Sequence, residues 1–108
     1  MKNLYLSLFF LSMSSFLVAQ IAVTLQVDMS NETVSADGVH VAGSFQGWDP
    51  AATPMTDDDM DNVYEVVLDL AAGMHEFKFI NGAGWDYAED VPPTCQVGVL
   101  GNDNRFLI

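Results

Sequence analysis

Residues 64–79 of the chain read YEVVLDLAAGMHEFKF, and this stretch decides the fold class. Side chains alternate between two faces on both sides of the turn signal Ala-Ala-Gly at 71–73. A period of two residues is typical of strands with one buried face. The positions that share the inner face are Tyr64, Val66, Leu68 and Leu70 before the turn, and His75, Phe77 and Phe79 after it. The stretch therefore predicts two strands with Glu65, Asp69, Glu76 and Lys78 on the opposite face.

The same alternation recurs on either side of this stretch. It runs through Ile21–Met29 and through 39–45, where His40 lies on the face opposite Val39 and Val41, and a last short strand is expected at Arg105–Ile108. The segment Asp49–Asn62 is a long polar connection. No window after residue 20 shows the 3.6-residue period of a helix. Residues 21–108 are therefore predicted to form one all-β domain, an immunoglobulin-like antiparallel β-sandwich.

Residues 1–20, MKNLYLSLFFLSMSSFLVAQ, have the three-part layout of a secretory signal peptide. Lys2 gives a positive start, an apolar run broken only by serines follows, and Ala19 is a small residue near the expected cleavage point. The run is shorter than the roughly 20 residues of a membrane span. We therefore expect cleavage, no stable membrane insertion, and a secreted, extracellular or periplasmic domain.

The single cysteine and the C-terminus limit the architecture further. Cys95 alone cannot close an internal disulfide or form a multi-cysteine metal site. The sequence stops on strand residues, which indicates a truncated product or the first module of a longer protein.

The charge balance excludes whole classes of partner. The sequence holds 15 Asp and Glu, and only Lys78 and Arg105 are basic after residue 20, so residues 21–108 carry 2 basic against 15 acidic side chains, a net −13. Nucleic-acid binding depends on Lys and Arg neutralising phosphates, so no nucleic-acid partner is expected. Anionic membranes and anionic glycans would also be repelled, whereas neutral partners are unaffected.

No catalytic pattern stands out, so we predict no enzymatic activity and no cofactor. The acidic run at 57–61 resembles the start of a calcium loop. The sixth and twelfth positions of such a loop should be Gly and Glu, but here they are Asn62 and Leu68. A solvated acidic turn is the favoured interpretation, no metal site is predicted, and calcium binding stays open.

The tryptophans are the more informative residues. Trp48 follows a predicted strand between glycine and Asp-Pro, and Trp85 follows a glycine-rich turn, so neither belongs to an alternating core run. A loop tryptophan can offer its flat face to the apolar face of a sugar ring, whose hydroxyls then require polar groups at the rim. Lys78, Asn102 and Asn104 could supply such groups. The alternative is that each tryptophan packs against Pro50, Pro92 or Pro93 and closes one end of the sandwich.

Residues 39–50, VHVAGSFQGWDP, resemble the strand-turn signature of starch- and glycogen-binding modules. These include the glycogen-binding domain of the AMP-activated kinase β subunit and families 48 and 20 of carbohydrate-binding modules. The resemblance continues through Val63–Leu70, GMHEFKFINGAGW at 73–85 and LGNDNRFLI at 100–108. In such modules two tryptophans form a platform for an α-glucan, with a Lys and an Asn at its edge. The resemblance assigns these carbohydrate-binding roles to Trp48, Lys78, Trp85 and Asn104, with Leu100 and Asn102 as further candidates.

The sequence thus predicts a secreted, noncatalytic carbohydrate-binding module that docks a neutral α-glucan of the starch or glycogen type. Its partners would be that polysaccharide or an oligosaccharide of it, and a tethered catalytic or anchoring domain. Two alternatives remain open. One is an extracellular interaction or spacer domain without sugar binding, and the other is a fragment of a secreted glucan-active enzyme.

Overall fold

The computed structural model describes residues 19–96 and 103–108. The six strands of this part of the chain are β1 (Gln20–Asp28), β2 (Val39–Gly43), β3 (Pro54–Met55), β4 (Val63–Ala71), β5 (His75–Asn81) and β6 (Arg105–Leu107). The helical segments there are two three-residue 3₁₀ turns, Trp85–Tyr87 and Pro93–Cys95. None of the helices in the described ranges has the length and apolar character needed to span a membrane. The prediction of an all-β domain is confirmed for these residues. The predicted signal peptide lies almost wholly outside the described residues and stays a prediction.

The strands form two antiparallel sheets. β1 and β4 pair along their whole length, from Gln20 opposite Ala71 to Asp28 opposite Val63. The second sheet has the order β3-β2-β5-β6, and each neighbouring pair is antiparallel. A bridge between Thr56 and Glu65 links the end of β3 to β4. This arrangement is the predicted immunoglobulin-like β-sandwich.

The core lies between the two sheets and is built from the alternating residues of the sequence. Phe77 and Phe79 on β5 are 7% and 8% exposed, and their rings meet edge to face with centroids 5.4 Å apart. The other buried members of the cluster are Leu25, Met29, Val39, Val41 and Met55. Because side chains alternate along a strand, Lys78 between the two phenylalanines points to the outer face of the four-stranded sheet, as predicted.

Strand β2 differs from its prediction in length and in burial. Its alternating pattern continues to Phe45, but the strand ends at Gly43, because the Gly43 carbonyl accepts hydrogen bonds from the N–H groups of Gln46 and Trp48 and turns the chain. All five residues of β2 are buried, which a period of two does not predict. His40 on the outer face is covered, and its ring Nδ1 donates to the Gly82 carbonyl at 2.6 Å. The segment after β5 therefore folds back over one end of this outer face.

The polar connection between β2 and β4 contains a strand that the sequence pattern did not predict. β3 has two residues, of which Met55 is 5% exposed, and it pairs with Val39 and His40. Two residues are too few to display a period. The last predicted strand is confirmed, since Arg105–Leu107 pairs with His75–Phe77.

Candidate functional site

One glutamine side chain organises the turn that carries Trp48. Gln46 Oε1 accepts hydrogen bonds from the N–H groups of Asp49 at 2.7 Å and Gly43 at 3.3 Å. Its Nε2 donates to the Asp49 carbonyl at 2.8 Å and to Thr53 Oγ1 at 3.0 Å. A single amide thus uses both its acceptor and its donors within the turn and holds the backbone on either side of Trp48.

The backbone of this turn is left-handed at two successive residues. Gly47 has φ +74° and Trp48 has φ +59°. Glycine adopts this conformation freely, but a residue with a Cβ does so at a cost of roughly 1–2 kcal/mol. The Gln46 hydrogen bonds offset this cost. The result is an indole that leaves the strand direction and projects from the turn.

Trp85 lies in a segment that is fastened to β5 by Glu89. The Phe79 N–H donates to Glu89 Oε2 at 2.9 Å, and the Glu89 N–H donates to the Phe79 carbonyl at 3.0 Å. Arg105 on β6 completes the arrangement with a bidentate contact to the Glu89 carboxylate, whose shortest distances are 2.8 Å. The Glu89 carboxylate raises the pKa of Arg105 through this contact. The segment that carries Trp85 is therefore anchored to two strands of the same sheet.

The two tryptophans meet on the surface. Their ring centroids lie 6.3 Å apart, and the ring planes are tilted by 40°. Trp85 is 46% exposed, and Trp48 is half-buried. Both residues lie in turn segments, as the sequence indicates, and neither is fully buried. Deep burial of both rings would have favoured the spacer interpretation.

Lys78 and Asn104 both have carboxylate partners. Lys78 stands opposite Ala42 in the β2–β5 register, and its Nζ lies 3.0 Å from the Asp103 carboxylate. Asn104 Nδ2 donates to Glu76 Oε1 at 3.3 Å. Lys78 lowers the pKa of Asp103, first through the hydrogen bond and then through its charge. The other two candidates, Leu100 and Asn102, lie outside the described residues.

Sequence reasoning missed the residues that hold these groups in place. Gln46 stands inside the GSFQGW motif and Asp103 stands beside the predicted Asn104, so proximity along the chain was a usable signal for both. Glu89 gave no such signal. Its contacts to Phe79 and Arg105 depend on the fold, and any of several acids in this sequence could have formed them.

The acidic turn before β4 is organised by its own first residue. The two Asp57 carboxylate oxygens accept hydrogen bonds from the N–H groups of Asp61 at 3.1 Å and Asn62 at 2.9 Å. Carboxylate oxygens of Asp57, Asp59 and Asp61 lie within 4.8 Å of one another. This grouping follows from the capping of an exposed turn, so it does not by itself indicate a metal site.

Comparison with known proteins connects this geometry to one family. No curated protein matches the sequence significantly. A family model described as the glycogen recognition site of AMP-activated protein kinase matches residues 29–106, which include both tryptophans, Lys78 and Asn104. Domains of this family bind carbohydrate and are not themselves catalytic. Because the match covers well over half of the sequence and the fold is the expected β-sandwich, the chain belongs to this family of glycogen-binding carbohydrate-binding modules.

Proposed function

We propose that this chain is a secreted, noncatalytic module that holds a neutral α-glucan against the rings of Trp48 and Trp85. Lys78 and Asn104 hydrogen-bond sugar hydroxyls at the edge of the rings, and Leu100 and Asn102, which lie outside the described residues, are further candidates for contact with the sugar. The sugar is of the starch or glycogen type.

The observation that carries this proposal is the pair of adjacent, partly exposed indole rings. An aromatic ring stacks on the apolar C–H face of a sugar, and the surrounding polar groups fix the orientation of the sugar. The 40° tilt between the rings suits a glucan whose successive sugar rings are inclined to one another. An α-1,4-linked chain curves in this way, whereas a β-1,4-linked chain presents flat, coplanar faces.

One shallow aromatic site binds an oligosaccharide weakly. Useful retention on a polymer then comes from a tethered partner or from repeated sites along the polysaccharide, because linkage makes the second contact intramolecular. We therefore propose that the module works beside a catalytic or anchoring domain on the same polypeptide or in the same complex.

Intrinsic tryptophan fluorescence during titration with maltoheptaose tests the proposal, with cellohexaose as the control sugar. We expect a saturable change with the maltooligosaccharide only. Trp48→Ala and Trp85→Ala should each weaken binding by about tenfold or more, since buried aromatic contacts dominate such sites.

A matched control is Met74→Ala, which removes another exposed apolar side chain, 49% exposed, from the turn between β4 and β5. This variant should bind like the parent. Parent-like binding by both tryptophan variants would refute the platform. A folded parent that responds to neither sugar would favour the spacer interpretation instead.

The sequence of residues 1–20 supports the secreted part of this proposal. We propose that a signal peptidase removes them near Ala19 or Gln20, so that the mature domain begins at about the first residue of β1. Mass spectrometry of the protein recovered from outside the expressing cell checks this cleavage. A product that retains Met1 in the membrane fraction would contradict it.

A further inference from the structure

Each of the two polar groups that the family resemblance assigns to the sugar site, Lys78 and Asn104, has a carboxylate partner. Asp103 lies 3.0 Å from the Lys78 ammonium, and Glu76 accepts a hydrogen bond from the Asn104 amide at 3.3 Å. Glu76 and Lys78 are two residues apart on β5, so both side chains leave the same outer face of the sheet. Two carboxylates therefore contact these two groups, which carry a single positive charge between them, that of Lys78.

Lys78 is the more buried member of its ion pair. Its side chain is 15% exposed, compared with 62% for that of Asp103. A partly buried ammonium exerts a stronger and less screened field than one in open water, so a nearby counter-charge matters more there. The pKa of Asp103 is lowered by the hydrogen bond and the charge of Lys78, as expected for such a pair.

The second cation of the domain is neutralised in the same way. Arg105 contacts the Glu89 carboxylate at 2.8 Å, and Glu89 is mostly buried. Across residues 19–96 and 103–108, Lys78 and Arg105 are the only Lys or Arg residues, so every Lys or Arg side chain described has a carboxylate beside it.

We propose that Asp103, supported by Glu76, is a specificity determinant that restricts the glycan face to uncharged sugars. Asp103 cancels the long-range attraction of Lys78 for phosphate, sulfate or uronate groups. It leaves the ammonium able to donate short-range hydrogen bonds to hydroxyls, since an ammonium has three donors. The selectivity is local, and it is distinct from the general repulsion that the net charge of the chain produces. The inference rests on the proposed function, because it concerns the same face.

The test compares two oligosaccharides of equal length, maltoheptaose and a maltoheptaose that carries one phosphate monoester. The parent should bind the first and discriminate against the second. Asp103→Asn should reduce this discrimination by about fivefold or more at roughly 0.01 M salt, where the Debye length is about 30 Å. The reduction should vanish near 1 M salt, where that length is about 3 Å.

Three further variants isolate the local effect. Asp69→Asn removes the same charge from the exposed side of β4, in the opposite sheet, and should discriminate as the parent does. The double variant Lys78→Gln/Asp103→Asn should restore discrimination, because it no longer has the Lys78 ammonium that attracts the phosphate group. Asp103→Ser provides a second, smaller replacement that also removes the charge.

The outcomes separate this inference from the proposed function. A parent that binds maltoheptaose, together with folded Asp103→Asn and Asp103→Ser variants that discriminate unchanged, overturns the inference and leaves the proposed function intact. An equal loss of discrimination in Asp69→Asn also overturns the inference, because the effect would then depend on the net charge of the chain. A parent that binds neither sugar overturns the proposed function and removes the basis of this inference.

Discussion

Two turns of this domain both contain left-handed residues, but one is held by a neutral side chain and the other by a charged one. The turn from Gly43 to Asp49 contains left-handed residues at Gly47 and Trp48, and the turn from Asp57 to Asn62 contains them at Met60 and Asn62. Each is held by one side chain that captures backbone groups of the turn. In the first that side chain is the neutral amide of Gln46, and in the second it is the carboxylate of Asp57.

The difference determines what each turn presents to solvent. The first projects an indole that meets Trp85. Its one ionisable residue, Asp49, bonds Gln46 through backbone groups, while the Asp49 carboxylate accepts from the Ala51 N–H beyond the turn. The second brings the carboxylates of Asp57, Asp59 and Asp61 close to one another and leaves Met60 86% exposed. The hydrogen bonds of the Gln46 amide do not depend on pH, so the position of Trp48 should not depend on pH either. The acidic turn is instead held by a carboxylate, that of Asp57, which accepts hydrogen bonds from backbone N–H groups.

The largest expected effect is steric and occurs at the start of the Trp48 turn. A Cβ at Gly43 would stand 2.5 Å from the Phe45 ring and 2.6 Å from the Glu76 carbonyl oxygen. Gly43→Ala should therefore lower the free energy of unfolding by about 2–3 kcal/mol, measured by urea denaturation.

Gly47→Ala is the matched comparison within the same turn. A Cβ there meets no atom within 4 Å, so only the φ of +74° opposes it, at about 1–2 kcal/mol. A smaller loss for Gly43→Ala than for Gly47→Ala would mean that the close approach to β5 is not what fixes this turn.

The next effect concerns the amide that frames Trp48. Gln46→Leu keeps similar bulk but leaves the N–H groups of Gly43 and Asp49 without their acceptor, which should cost about 1–3 kcal/mol of unfolding free energy. Glucan affinity should fall as well, because the Trp48 ring loses its fixed orientation.

Gln26→Leu is the control, because Gln26 is exposed on β1 and makes one side-chain hydrogen bond, to Glu65. It should change stability by at most about 0.5 kcal/mol and leave glucan binding intact. Equal losses for the two variants would show that Gln46 does not organise the turn.

The sandwich could be predicted from the sequence because burial on one side of a strand imposes a period of two. Phe77 and Phe79 show this rule directly, and both lie in the core. The complete burial of β2 could not be predicted in the same way. It depends on the segment near Gly82 folding back onto His40, a contact between residues far apart in the sequence.

The candidate site likewise has features that the local sequence predicts and features that depend on the tertiary fold. That Trp48 and Trp85 occupy turns follows from the glycines beside them, but their separation of 6.3 Å depends on the tertiary fold. The family resemblance suggested that the two tryptophans act together. The local sequence pattern alone was equally compatible with each tryptophan packing at one end of the sandwich. The pairing of Lys78 with Asp103 was likewise beyond prediction, because any of the many acids could have been its partner.

The smallest expected effect is the titration of the acidic turn. The neighbouring Asp61 carboxyl raises the pKa of Asp59, whereas the Val63 N–H lowers the pKa of Asp61. As the pH falls, Asp59 should take up its proton first, which relieves repulsion and slightly stabilises the folded state between its raised pKa and the ordinary aspartate value. At still lower pH Asp61 becomes protonated, and the stability that its depressed pKa contributed is lost.

Carboxyl chemical shifts in an NMR titration should therefore resolve two steps on opposite sides of the ordinary aspartate pKa, about 3.9. Asp59→Asn should remove the upper step, while Asp58→Asn, at an exposed acid of the same turn without a hydrogen bond to the described residues, should retain both. The loss caused by Gln46→Leu should be the same above and below this range, since no carboxylate takes part in holding that side chain. A single shared midpoint for Asp59 and Asp61 would contradict the opposite shifts, and a pH-dependent Gln46→Leu loss would contradict the neutral frame.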